Sequence, residues 1–138
     1  MSCPFCDIDA ERNRVIKSGK HVFAIFSNPR LMEGHLLVIS KRHVERISEL
    51  DEEEKKELFD MVTDLQEKII KKIAPGCDIR QHYRPFQGQS NLKVDHLHIH
   101  LQPRRFEDEV YKQCQVSEKD VFKPLTEEEI KKIIGLLD

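Results

Sequence analysis

The sequence predicts an α+β domain built on a five-stranded antiparallel sheet, with one long helix and a short C-terminal helix. Three observations carry this. Hairpin-like apolar runs occupy the first forty residues, a long amphipathic stretch begins near residue 50, and a strictly alternating strand lies just before residue 101.

Val15-Ile16 and Val22–Phe26 read as strands joined by Ser18-Gly19-Lys20. Asn28-Pro29-Arg30 breaks the second. Leu36–Ile39, after Gly34-His35, reads as a buried third strand. Asp51 is placed to cap a helix reaching about Ile73, with Glu52, Glu53 and Glu54 in its first turn. Leu58, Met61, Val62, Leu65, Ile69 and Ile73 recur at three- and four-residue spacing and form its inward stripe. The charge run Asp51–Glu57 is expected on the solvated face. Lys71 and Lys72 suit the last turn, and Pro75-Gly76 stops it. Asp78–Tyr83 is expected as a partly polar fourth strand, and Arg84–Asn91 as a loop. Val94–Leu101 is the fifth strand, ended by Pro103. Thr126-x-x-Glu129 is a capping-box pattern opening a helix with Ile130, Ile133, Ile134 and Leu137 inward.

At 138 residues the chain suits one domain, burying about 70% of the surface its unfolded form exposes. Hydrophobic residues are 38% and charged residues 35%, and Lys plus Arg (23) against Asp plus Glu (25) leaves a net charge of −2. That balance lacks a basic nucleic-acid footprint. No apolar run reaches the ~18–20 residues of a membrane span. The N-terminus has no basic stretch followed by an apolar one, so no secretory signal is expected. The expectation is a soluble, cytosolic protein with no nucleic-acid and no membrane partner.

Cys3-Pro4-Phe5-Cys6 is a C-x2-C knuckle. In a reducing cytosol this spacing points to metal or redox chemistry. A thioredoxin-like motif should follow a strand, and none precedes this one. Tetrahedral zinc needs four ligands, so two more must come from elsewhere, and histidine is the abundant candidate. Cys77 and Cys114 read as small, partly buried hydrophobes.

In Asp95-His96-Leu97-His98-Ile99-His100-Leu101, period two sets His96, His98 and His100 on one strand face and the aliphatic residues on the other. Three imidazoles in register rarely have a packing explanation. Same-face neighbours on a strand are about 6.6–7 Å apart, so His96 and His100, about 13 Å apart, do not share one ion on a straight strand. The positions are expected to divide the labour.

His96-Leu97-His98-Ile99-His100-Leu101-Gln102 resembles the H-φ-H-φ-H-φ-φ signature of the histidine triad superfamily, with a polar last position. Gly34-His35-Leu36-Leu37-Val38-Ile39-Ser40-Lys41-Arg42-His43 resembles that family's G-H-x-L-V-I-P-K-x-H segment. The knuckle resembles its zinc-bearing branch, related to galactose-1-phosphate uridylyltransferases. The match spans about residues 3–105, and residues 106–138 form a C-terminal extension outside it. The resemblance implies a histidine-triad fold and a structural zinc on Cys3, Cys6, His43 and His96. It implies His98 as a nucleophile toward the α-phosphorus of a nucleotide, forming a nucleotidyl-histidine that water resolves. It gives His100 an orienting and phosphate-contacting role and His35 a supporting one. Phe5, Ile8, Phe23 and Ile25 or Phe26 are candidates for a base pocket, with core packing the plainer reading.

Two departures matter. Gly88-Gln89-Ser90 matches the start of the family's polar loop, but Asn91-Leu92-Lys93 lengthens the approach to His96. Gln87, Gln89 and Ser90 are the candidate phosphate contacts, with Arg84 and Lys93 as further donors. Ser27 or Asn28 stands where the family carries a ribose-binding aspartate. The expected function is a nucleotide hydrolase or nucleotidyl transferase, on dinucleoside polyphosphates or adenylylated small molecules, in a homodimer. A zinc-stabilised nucleotide-binding module with little turnover is the alternative. A cupin-like metal enzyme using His96 and His98 lacks the expected downstream glutamate and leaves the knuckle unexplained.

Overall fold

The computed structural model describes residues 3–9, 14–90 and 92–138. The described chain forms two compact units, one through Phe106 and one from Glu107. In the first, strands β1 (Val15–Ser18), β2 (Val22–Phe26), β3 (Leu36–Ser40), β4 (Gly76–Arg80) and β5 (His98–Arg104) make one sheet in the order β1-β2-β3-β5-β4. Every neighbouring pair is antiparallel. Helix α1 (Glu52–Lys72) joins β3 to β4.

Alternation along the strands builds two layers. Val22 and Ala24 of β2, Leu36 and Val38 of β3, and Leu97, Ile99 and Leu101 share a core with Leu58, Met61, Val62, Leu65 and Ile69 of α1. The other face carries Phe23, Ile25, Leu37 and Ile39, packed with Phe5 and flanked by Cys3 and Ile8 of the N-terminal turn. Leu37 pairs with His100 and Ile39 with His98, so the two histidines continue this second face. The base-pocket candidates Phe23 and Ile25 are therefore core, and Phe26 is exposed.

Asp51 caps α1 as expected, accepting from the Glu54 backbone N–H at 2.9 Å, while the Glu54 carboxylate accepts from the Asp51 N–H at 3.0 Å. The charge run is not a solvated face throughout. Glu54 is only 4% exposed, and Glu57 accepts backbone N–H bonds from Lys20, His21 and Val22, tying the β1–β2 turn to the helix. Ile73, expected inward, lies past the last helical turn and is exposed.

β4 starts two residues before and ends three residues before the expected span, because the helix stops early enough for Gly76 and Cys77 to pair with Arg104 and Pro103. β5 begins at His98, not Val94, and runs through Pro103 to Arg104. Proline fits there because pairing with β3 stops at Leu36↔Leu101, leaving one side of the strand without a ladder. Gly34 has φ +87°, and a Cβ on it would lie 3.1 Å from Pro103 Cγ and 3.2 Å from Ile73 Cγ2. Glycine lets the chain make that turn and deliver His35 to the start of β3.

The second unit holds a π-helical turn at Tyr111–Gln115, a 3-10 turn at Glu118–Asp120 and helix α2 (Glu127–Leu137). Thr126 caps α2 by accepting from Glu129 N–H at 3.2 Å. The inward face expected for α2 is not buried: Ile133, Ile134 and Leu137 are exposed. Cys114 is likewise exposed, while Cys77 is partly buried against the core. No helix among the described residues is long and apolar enough to cross a membrane.

Candidate functional site

Four predicted ligand residues meet. One donor atom from each of Cys3, Cys6, His43 and His96 lies within 4.8 Å of the others. Cys3 Sγ is 3.3 Å from His96 Nδ1, Cys6 Sγ is 3.1 Å from His43 Nδ1, and the two Nδ1 atoms are 3.1 Å apart. A tetrahedron with metal bonds of about 2.0–2.3 Å has edges of roughly 3.3–3.8 Å. The donor set and its spacing fit a tetrahedral zinc. His96 Nε2 is 2.6 Å from the Ser40 carbonyl, so its N–H donates there and Nδ1 is left with a lone pair aimed at the cluster. This is the second interaction that a histidine ligand needs to fix its ring.

The Lys41-Arg42-His43 segment is anchored from α1. Arg42 donates to Glu54 through Nε (3.2 Å) and Nη2 (2.8 Å), and Nη2 also reaches the Glu49 carbonyl at 2.7 Å. The Arg42 guanidinium and the Asp51 N–H hold the Glu54 carboxyl down at about 2. Ser40 Oγ donates to the Arg42 carbonyl at 2.9 Å.

The triad positions differ in their hydrogen bonds. His98 Nδ1 donates to the His96 carbonyl at 2.6 Å, which leaves the lone pair on Nε2. Leu31 N–H donates to His35 Nδ1 at 3.1 Å, so neutral His35 carries its proton on Nε2. That N–H meets His100 Nδ1 at 2.9 Å, which makes Nε2 of His100 the protonated nitrogen. Burial, then the charge of His98, lowers His35 to about 4. Burial, then the neighbouring histidines and Arg80, lowers His100 to about 3. Burial also lowers His98. The rings of His98 and His100 lie 5.0 Å apart, and Phe5 packs edge-on to His98 at 5.0 Å.

These rings line a cleft of about 680 Å³, a size that suits a nucleotide-scale ligand. Ser27, Asn28, Gln87 and Ser90 also line it, but not Gln89. Gln89 Oε1 instead accepts from the Asp95 backbone N–H at 3.0 Å, bracing the approach to the triad. Ser27 Oγ donates to the Pro29 carbonyl at 2.8 Å within the β2–β3 turn. Ser90 Oγ accepts from Leu92 N–H at 3.1 Å. Lys93 bridges the Asp95 carboxylate at 2.6 Å and the Gln87 carbonyl. Asn91, part of the lengthened approach, lies outside the described residues.

Sequence reasoning gave no role to Arg80 and His82, yet both line the cleft, with the His82 ring 5.5 Å from that of His100. Arg80 pairs directly with His100 across β4 and β5. The available signal was period two: Asp78, Arg80 and His82 alternate with Ile79 and Gln81.

A family model described as HIT domain matches residues 9–107. An HIT-like protein of Methanocaldococcus jannaschii is 33% identical over 130 residues, 91% of this chain and 97% of its own. The adenosine 5′-monophosphoramidase of Schizosaccharomyces pombe is 28% identical over 113 residues, 78% of each chain. Among solved structures, a HIT family protein from Bacillus subtilis superposes with TM-score 0.71 at 27% identity, covering 99% of this chain and 95% of that one. A zinc-bound histidine triad family protein from Mycobacterium smegmatis gives TM-score 0.65 at 25% identity, over 79% of each chain. The α+β histidine-triad fold expected from the sequence is the fold of these structures.

Proposed function

The chain belongs to the HIT domain family, and from that footing we propose that it is a nucleotide hydrolase or nucleotidyl transferase acting at the α-phosphorus, with His98 as nucleophile. The observation that carries this is the His98 Nδ1 to His96 carbonyl bond, which leaves Nε2 basic. Nε2 attacks phosphorus, the bond to the leaving group breaks, and the leaving group departs with that electron pair. Water then attacks the nucleotidyl phosphorus, the P–N bond breaks, and neutral His98 and a nucleoside monophosphate result. His100, as an Nε2–H donor, supports the charge growing on the phosphoryl oxygens. The activity named for the fission-yeast relative supports hydrolysis as the outcome.

Zinc on Cys3, Cys6, His43 and His96 would cross-link the N-terminal turn to the start of the triad segment. Four protein ligands close the site, and its role is structural. The zinc-bound mycobacterial structure supports the metal's identity. A second reading, a nucleotide-binding module with little turnover, draws support from Gln89, which braces Asp95 and does not line the cleft. Release of AMP from adenosine 5′-phosphoramidate or diadenosine triphosphate, followed by chromatography, separates the two. The hydrolase reading expects multiple turnovers, and binding without product supports the module.

A further inference from the structure

We propose that Arg80, His82 and Arg84 form a second anion subsite at the β4 end of the cleft, which selects substrates whose leaving group is itself a phosphate. This rests on the reading of His98 as the site of attack. Arg80 stands directly opposite His100 in the β4–β5 ladder, and opposed residues in an antiparallel pair project from the same face. His82 lies two residues on, past the end of β4, and its ring centroid is 5.5 Å from that of His100. Arg84 follows two residues later, and all three line the same cleft as His98.

The two guanidinium groups are available for a ligand. Arg84 has no ion-pair partner among the described residues, and Arg80 reaches only Asp78, at 4.0 Å. Asp78 is already held by Arg104 at 2.5 Å. Another cation of the cleft is committed differently, since Lys93 is paired with Asp95 at 2.6 Å. After burial, the groups that lower His82 are Arg84 and Arg80, and those that lower His100 are histidines and Arg80, with no carboxylate among them. Guanidinium forks match phosphate oxygens and gain nothing from a neutral amine. The leaving group recognised is therefore a nucleoside phosphate or other polyphosphate, and a neutral amine forgoes these contacts.

The test compares wild type with the double variant R80Q/R84Q, checked for an unchanged circular dichroism spectrum. Two substrates are used: diadenosine triphosphate, with an anionic leaving group, and adenosine 5′-phosphoramidate, with a neutral one. The loss in kcat/KM should be roughly ten- to a hundredfold larger on the first substrate than on the second. R80K/R84K should restore part of the loss. Equal losses on both substrates, or none on either, overturn the subsite. Calorimetric titration with AMP and ADP keeps the result separate from turnover. Wild type should bind ADP about tenfold more tightly than AMP, and R80Q/R84Q should lose that difference. If wild type turns over neither substrate, the nucleophile reading fails while this difference still decides the subsite. Equal affinity of wild type for ADP and AMP overturns it.

Discussion

His35 Nε2 stands 2.9 Å from His100 Nδ1, and because Leu31 N–H occupies the other nitrogen of His35, the proton between the two rings belongs to His35. His100 consequently presents N–H to the cleft, while its neighbour His98 presents a lone pair, its own proton being held by the His96 carbonyl. Two adjacent imidazoles thus carry opposite tautomers, traceable to two backbone groups, the His96 carbonyl and the Leu31 N–H.

Nitrogen-15 spectra of the imidazoles check this arrangement. At about pH 7 they should show His35 and His100 as Nε2–H tautomers and His98 as the Nδ1–H tautomer. His35 and His100, lowered to about 4 and about 3, should still be neutral at about pH 5. Titration of either near 6.5 contradicts the network.

The same shifts set the sign of a stability change with pH. The unfolded chain takes up protons on these rings first, near 6.5, whereas the folded chain resists until about 4 for His35 and about 3 for His100. Their contribution is fully present above about 6.5 and is lost as pH falls through that window. Urea unfolding midpoints should fall from pH 7 to pH 4.5, and less so in the double variant H35F/H100F. An equal fall in both proteins at equal metal content would assign the loss elsewhere.

Replacing His35 probes positioning without touching the reacting atoms. His35→Ala should lower kcat by roughly ten- to a hundredfold with a smaller change in KM, since the proton on His100 is no longer placed. His35→Gln, whose amide can still donate, should recover part of it. A loss confined to KM would contradict a role through His100.

The knuckle and the triad contribute to one candidate metal site, so their loss should be linked. Protein purified without added zinc should carry about one equivalent. Cys6→Ser and His96→Ala should both drop it well below one and lower the thermal midpoint, and chelation of wild type should lower it similarly. Full stability without metal in either variant contradicts a structural centre.

Glu54 joins the helix cap to the segment that carries His43. Glu54→Ala should cost about 1–3 kcal/mol, through the capping box and the Arg42 bonds together. Metal retention should weaken with it, because Arg42 is the neighbour of His43. A double-mutant cycle with Arg42→Ala measures the coupling, and strict additivity would show that the pair does not act as a unit.

Much of the fold was legible because its periods are clean. The α1 stripe from Leu58 to Ile69 reads as a buried helical face, and the alternation of Leu97, Ile99 and Leu101 with the histidines sorts the two faces of β5. The candidate metal-binding group was legible through motif spacing and resemblance, not through geometry: 93 positions separate Cys3 from His96, and only the folded sheet brings them together. What escaped depends on tertiary partners. Glu54 and Glu57 look like surface charge until Arg42 and the β1–β2 turn are in place. Gln89 looks like a phosphate contact until its bond to the Asp95 backbone N–H is known. Pro103 reads as a strand terminator unless the shorter reach of β3 is known. The apolar residues of α2 were assigned inward by pattern alone, and pattern does not say whether a face is covered.

Covalent transfer through His98 leaves a chemical trace on that residue. Brief mixing of the zinc-loaded protein with diadenosine triphosphate, an alkaline quench and peptide mass spectrometry test it most directly. An acid-labile adenylyl adduct should form on His98 at a rate competent for turnover and be absent from His98→Ala, which should lose several orders of magnitude in kcat. Turnover at near wild-type rate in His98→Ala, with no adduct on any histidine, would contradict it.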